Sequence, residues 1–187
     1  MAGLHGAIGS TDATHIAIEK APTWLNHVHK SHKLNSSSRT YTLTTSHRVL
    51  ILSSTSGHTA SFNDKTLILF DEFLCSLQKG KILQDYEFEL YDIDSNGTVT
   101  KKKYRGPWII ADNGYLNWST IIPPYKITTT YAQTRWSQWV ESMRKDVECT
   151  FGILKGRFRI LKSGIDSTDA IWKTCCSIHN WLLDIDG

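Results

Sequence analysis

The chain has 187 residues, 40% of them hydrophobic. That suits one domain with a real core and excludes both a disordered polymer and a coiled coil. A net charge of +3 permits nucleic-acid binding without demanding it. No apolar run approaches the roughly 18 residues of a membrane helix, and M-A-G-L-H-G lacks the charged and apolar regions of a signal peptide.

The four cysteines, Cys75, Cys149, Cys175 and Cys176, form no C-x-x-C pair and read as reduced thiols of a cytosolic or nuclear protein. The sequons at Asn35, Asn96 and Asn117 are then expected to stay unmodified. Most of the seven tryptophans read as core residues.

In chain order, residues 4–18 are small and apolar with one acid, Asp12, and predict a strand running up to or through it. Residues 22–38 are polar. Their histidines His27, His29 and His32 lack further ligands at metal spacing, so a solvated loop is expected there rather than a zinc site. From Arg39 to Ser54 β-branched residues predict two strands divided at Ser46-His47.

Asn63 or Asp64 then caps a helix whose apolar face is Leu67, Ile68, Phe70, Phe73, Leu74 and Leu77, with Gly80 as its stop. Asp92, Asp94, Asn96 and Gly97 match the start of a calcium loop. The twelfth position is Lys103 instead of glutamate, however, and the flanks alternate like strands, so a hairpin turning at Asn96-Gly97 is expected.

P-W-I-I-A-D at 107–112 predicts a buried strand delivering Asp112 to the carboxyl edge of a sheet, where ligand residues gather; an aspartate that merely caps the turn fits as well. Trp118 to Pro124 predicts one more short strand. Between Trp136 and Leu161, apolar residues at Trp136, Trp139, Val140, Met143, Val147, Phe151, Leu154 and Phe158 have helical spacing. Beside them run Glu141, Arg144, Glu148, Lys155 and Arg159, which puts Glu148 at the seam between core and solvent. Alone, that helix favours a surface of ion pairs over a metal-binding carboxylate flanked by cations for a phosphodiester backbone. Asp166 or Ser167 caps a last helix with a core-like stripe of Ile171, Cys175, Ile178, Trp181 and Leu182.

This order predicts an α/β fold: an RNase H-like mixed sheet, with a three-stranded meander plus further strands, flanked by helices and carrying an inserted β-hairpin. Such a layout brings an acid from the first strand, one from the fourth and one from a late helix to a single point. In the absence of metal, acids so crowded are expected to raise one another's pKa.

Four words recur in order: S-T-D-A-T-H at 10–15, W-x-x-x-D-N-G-Y at 108–115, R-K-D-V-E-C-T-F-G-I-L-K-G-R-F-R-I-L at 144–161 and I-W-K-T-C-C-S-I-H-N-W-L-L at 171–183. Together with N-D-K-T-L-I-L-F-D at 63–71 they closely resemble the DDE superfamily endonuclease domain of PIF/Harbinger-type transposases, in the plant transposon protein branch, from about Ile8 onward.

The resemblance implies one DDE endonuclease domain over residues 1–187, with Asp12, Asp112 and Glu148 as catalytic and metal-binding acids. It further implies two divalent metal ions, Mg²⁺ with Mn²⁺ as a substitute, for phosphodiester hydrolysis and strand transfer on DNA. Arg144, Lys155, Arg157 and Arg159 are the candidates for DNA-backbone contacts. A Myb-like DNA-binding partner protein, a homo-oligomer, a nuclear location (or else a cytoplasmic one) and no membrane association complete the expectation. The chain departs from the family in carrying Asp12 almost at its start, without the usual helical DNA-binding region ahead of it, and in a shortened segment at 163–169. The alternative is therefore a catalytically inactive, truncated transposase relic acting as a DNA- or protein-binding module.

Overall fold

Strand β1, Ala7–Ala17, is the hub of the molecule and carries Asp12 near its middle. The computed structural model describes residues 4–18, 37–163 and 168–186. The polar stretch with His27, His29 and His32, the sequon at Asn35 and the Asp166 or Ser167 cap lie outside the described residues.

β1 pairs antiparallel with β2, Ser38–Thr45, which pairs antiparallel with β3, Ile51–Ser54. This is the predicted meander, turning at Ser46-His47. A two-residue strand, β4 (His58–Thr59), also pairs with β2. On its other edge β1 runs parallel to β7, Trp108–Ile110, and β7 runs parallel to β8, Ile121–Ile122, giving the order β3-β2-β1-β7-β8. β8 is shorter than the predicted strand from Trp118 to Pro124. Between the two parts of the sheet stands the expected hairpin, β5 (Glu87–Ile93) and β6 (Val99–Arg105), a separate two-stranded sheet. Its turn needs Gly97, whose φ of +79° is left-handed.

Helices cover both faces of the main sheet. On one, α1 (Asp64–Leu67), a 3₁₀ turn (Ile68–Phe70) and α2 (Glu72–Gln78) bury Ile68, Leu74 and Leu77 against Ile109 and Ile121. The single helix expected here is broken at Asp71. Its side chain accepts from the Leu74 N–H at 3.0 Å and so starts a second helix, leaving Leu69 and Phe70 exposed. Asn63 caps the first helix, as predicted.

The opposite face is packed by α3 (Tyr131–Arg157), a short α4 (Ile160–Ser163) and α5 (Thr168–Asp186). Val147, Phe151 and Leu154 of α3 and Trp172, Cys175 and Cys176 of α5 enclose Ile16, Tyr41, Leu43 and Ile51 of the meander. α3 starts earlier than its apolar stripe, because Thr130 and Gln133 form a reciprocal capping box. It also ends earlier, at Arg157, where Phe158 leaves helical geometry. Trp139 on α3 and Ile178 and Trp181 on α5, expected in the core, are exposed; Trp172 and His179 face inward in α5 instead.

Candidate active site

The parallel register of β1 and β7 assembles the first half of the site. Ser10 pairs with Ile110, and Asp12 and Asp112 each follow two residues later, close enough for the Asp112 charge to bear on Asp12. Asp112 lies just past the end of β7, and its Oδ1 accepts the Gly114 N–H at 2.7 Å in the turn that follows. Asp12 feels the negative charge of Asp112 and also that of Asp64, the first residue of α1. Gly114 lies beneath both neighbours: a Cβ there would come within 2.6 Å of Asp64 Oδ2 and 2.9 Å of Asp112 Oδ1.

The second half comes from α3, which packs along β1. Lys155 donates to Thr14 Oγ1 at 2.6 Å and to the His15 carbonyl at 3.3 Å, which fixes the helix against the strand. Three turns earlier, Arg144 extends its guanidinium between carboxylates. Its Nη2 lies 3.6 Å from Asp12 Oδ2 and 3.5 Å from Glu148 Oε1, and its Nη1 lies 3.5 Å from Glu141 Oε2. The Arg144 side chain is only 12% exposed, whereas Glu148 is 56% exposed, more open than a seam position implies.

Burial pushes the Asp12 carboxyl above the ordinary aspartate value. The Ala13 N–H and Arg144 oppose that shift, and Asp112 and Asp64 add to it. Tyr115 is buried among the same acids. Its hydroxyl has no hydrogen-bond partner among the described residues, and burial, then Asp12, Asp64 and Asp112, raise its pKa well above normal.

A family model described as DDE superfamily endonuclease matches residues 11–180. The chain belongs to the DDE superfamily endonucleases. Comparison with curated proteins and with solved structures gives no match. This DDE endonuclease belongs to a superfamily that generally uses divalent metals.

Among its described residues, no three His, Cys, Asp or Glu side chains stand close enough to hold a metal ion as they are. The chemistry of the donors nonetheless suits a hard divalent cation. They are carboxylates throughout, and between Asp12 and Glu148 a guanidinium already stands in for a cation.

Arg157 and Arg159 are exposed at the far end of α3 and beyond it. Arg144 and Lys155 are turned inward, to the acids and to β1. Asp64 and Tyr115 escape the sequence reading: Asp64 reads as one of two interchangeable caps, and Tyr115 is given no role. The D-N-G-Y word is the signal that points to Tyr115; nothing local marks Asp64 as a neighbour of Asp12.

Proposed function

We propose that this chain is the RNase H-like catalytic domain of a PIF/Harbinger-type transposase, cleaving phosphodiester bonds in DNA and joining strands. The reading is supported by the negative charge of Asp112 acting on Asp12 and by one guanidinium, that of Arg144, lying 3.6 Å from Asp12 and 3.5 Å from Glu148. The strand order, with an antiparallel meander followed by two parallel strands, supports the RNase H-like assignment.

Asp12, Asp112 and Glu148 are the carboxylates that would hold the ions. When bound, two Mg²⁺ ions, or Mn²⁺ in their place, supply a water or 3′-hydroxyl of lowered pKa and charge stabilisation at the leaving oxygen. The residues of the chain do the rest. Asp12, half-buried and beside two other acids, gains most from a neighbouring cation. The Gly114 N–H fixes the Asp112 carboxylate, and Lys155 holds α3, and with it Glu148, in register with β1.

Arg157 and Arg159 are the solvent-facing cations proposed to take the DNA backbone. A groove of about 410 Å³ is lined by Glu148 together with Glu141 and Lys145. A nuclear location, a Myb-like DNA-binding partner and self-association belong to the same proposal.

Nicking of supercoiled plasmid by the purified protein tests it. Cleavage should require Mg²⁺ or Mn²⁺, stop with a chelator, and fall at least about a hundredfold in Asp112→Asn, a loss equivalent to removing one metal ligand's share of the barrier. Equal cleavage by the variant, or none by the wild type with either metal, leaves the non-catalytic binding module as the reading.

A further inference from the structure

Arg144 stands apart from the other cations of the chain. It is nearly buried and touches three carboxylates, Asp12, Glu141 and Glu148, yet every contact is 3.5–3.6 Å long and its Nε has no hydrogen-bond partner among the described residues. A guanidinium committed to one carboxylate closes to hydrogen-bonding distance, as Arg39 does on Asp169 at 3.0 Å. Arg144 is instead spread across the cluster, a positive charge balancing several negative ones without being locked to any. It is also paired, through its other terminal nitrogen, to Glu141, which is 52% exposed and lies one turn before it.

From this arrangement we infer that Arg144 is a resident placeholder cation: in the metal-free protein its guanidinium neutralises Asp12 and Glu148, and divalent metal binds by displacing it toward Glu141. The inference rests on the metal-site reading given above and adds a competitor to it. Without some cation, Asp12 would face Asp112 and Asp64 unscreened in a poorly solvated position. With Arg144 in place, the acids stay together before metal arrives, and metal affinity is lowered by the cost of moving the arginine. Arg144 is thus a positioning residue in the resting protein, and its displaced guanidinium is left beside the groove lined by Glu141 and Glu148.

Mn²⁺ titration of the metal-free protein, by calorimetry and by electron paramagnetic resonance of free Mn²⁺, separates this from a purely structural role. Arg144→Met, which keeps length without charge, should tighten Mn²⁺ binding about tenfold. It should also lower the unfolding temperature of the metal-free protein more than that of the Mn²⁺-saturated one. Arg144→Lys, which keeps the charge, should stay within about threefold of wild type. Unchanged or weaker binding in Arg144→Met, or equal tightening in both variants, overturns the inference.

If Arg144→Met does not fold, the wild type still decides. On saturation with diamagnetic Mg²⁺ the Arg144 Nε–H resonance should shift as the guanidinium moves; a resonance that stays put rejects displacement. Failure of the underlying site looks different. Wild-type protein that binds no Mn²⁺, and does not differ from Asp12→Asn, removes the metal reading itself, whereas normal binding with an indifferent Arg144→Met removes the placeholder alone.

Discussion

Two aspartates in this molecule are both drawn away from water, and they answer in opposite directions. Asp169, in the first turn of α5, accepts from the Tyr41 hydroxyl at 2.8 Å, from Arg39 at 3.0 Å and from the Gly57 N–H at 3.0 Å. Burial alone would raise its pKa, but Tyr41, Gly57 and Arg39 together hold it below the ordinary value. Asp12 is the more deeply buried of the two. Against that burial stand one short N–H contact from Ala13 and a guanidinium 3.6 Å away, while two further acids press from the other side, so its pKa rises. The contrast separates a joint from a site. At Asp169 the donors saturate the carboxylate, and the group ties α5 to Tyr41, whose ring lies tilted against Trp172. At Asp12 the carboxylate is left short, with capacity for a cation that the fold supplies only loosely.

The largest effect that tests this contrast is on stability. Asp169→Ala should cost about 2 kcal/mol, since it removes the hydrogen bonds that Tyr41, Arg39 and the Gly57 N–H give to a charged acceptor, with some discount for partial exposure. Asp12→Asn should leave stability unchanged or slightly higher, because it removes repulsion from Asp112 and Asp64. Urea unfolding of both variants measures the difference. An equal loss in the two would erase the distinction between joint and site.

Asp12 and Asp112 could be picked out as residues from the chain, but not the reason they meet. The strand through Asp12, the turn at Ser46-His47 and the hairpin at Asn96-Gly97 were readable because each depends on local pattern and turn chemistry. The parallel pairing of β1 with β7, which brings Asp112 near Asp12, depends on packing between segments about a hundred residues apart, and no local signal encodes it. Arg144 misleads for a related reason. By helical spacing it belongs to a charged stripe with Lys155 and Arg159, yet tertiary packing turns Arg144 and Lys155 onto β1 and leaves Arg159 exposed. Asp71 interrupts an unbroken apolar periodicity because capping the second helix with a buried carboxylate outweighs continuing the first. On α5 the predicted stripe was rotated: the inward face is Trp172, Cys175, Cys176 and His179, and Trp181 is exposed.

A smaller effect sharpens the site half of the comparison. Gly114→Ala puts a methyl group 2.6 Å from Asp64 Oδ2 and 2.9 Å from Asp112 Oδ1, so both carboxylates must shift. Overpacking of this kind should cost about 1 kcal/mol, and the displaced Asp112 should weaken Mn²⁺ binding and slow nicking together. Gly156→Ala, on α3 with open space around its Cβ, is the control and should raise stability by about 0.5–1 kcal/mol without touching either activity. Gly114→Ala with wild-type metal binding would detach Asp112 from the site.

The smallest effect is the pH dependence of the joint. Because the folded pKa of Asp169 lies below its ordinary value of 3.8, the ionised form favours folding, and its contribution is fully present above that value. As pH falls through 3.8 and on through the lower folded value, the unfolded chain takes up the proton first and the contribution disappears. Asp169→Asn cannot ionise, yet its amide oxygen can still accept from Tyr41 or Gly57. The stability difference between wild type and Asp169→Asn should therefore be constant from pH 7 down to about 5 and shrink steadily between about 4 and 3. Measured as a difference between two urea titrations, it is independent of the acids around Asp12, which both proteins share. A gap that widens on acidification would mean that Asp169 is held up by burial as Asp12 is, and the two corners of the molecule would no longer differ in kind.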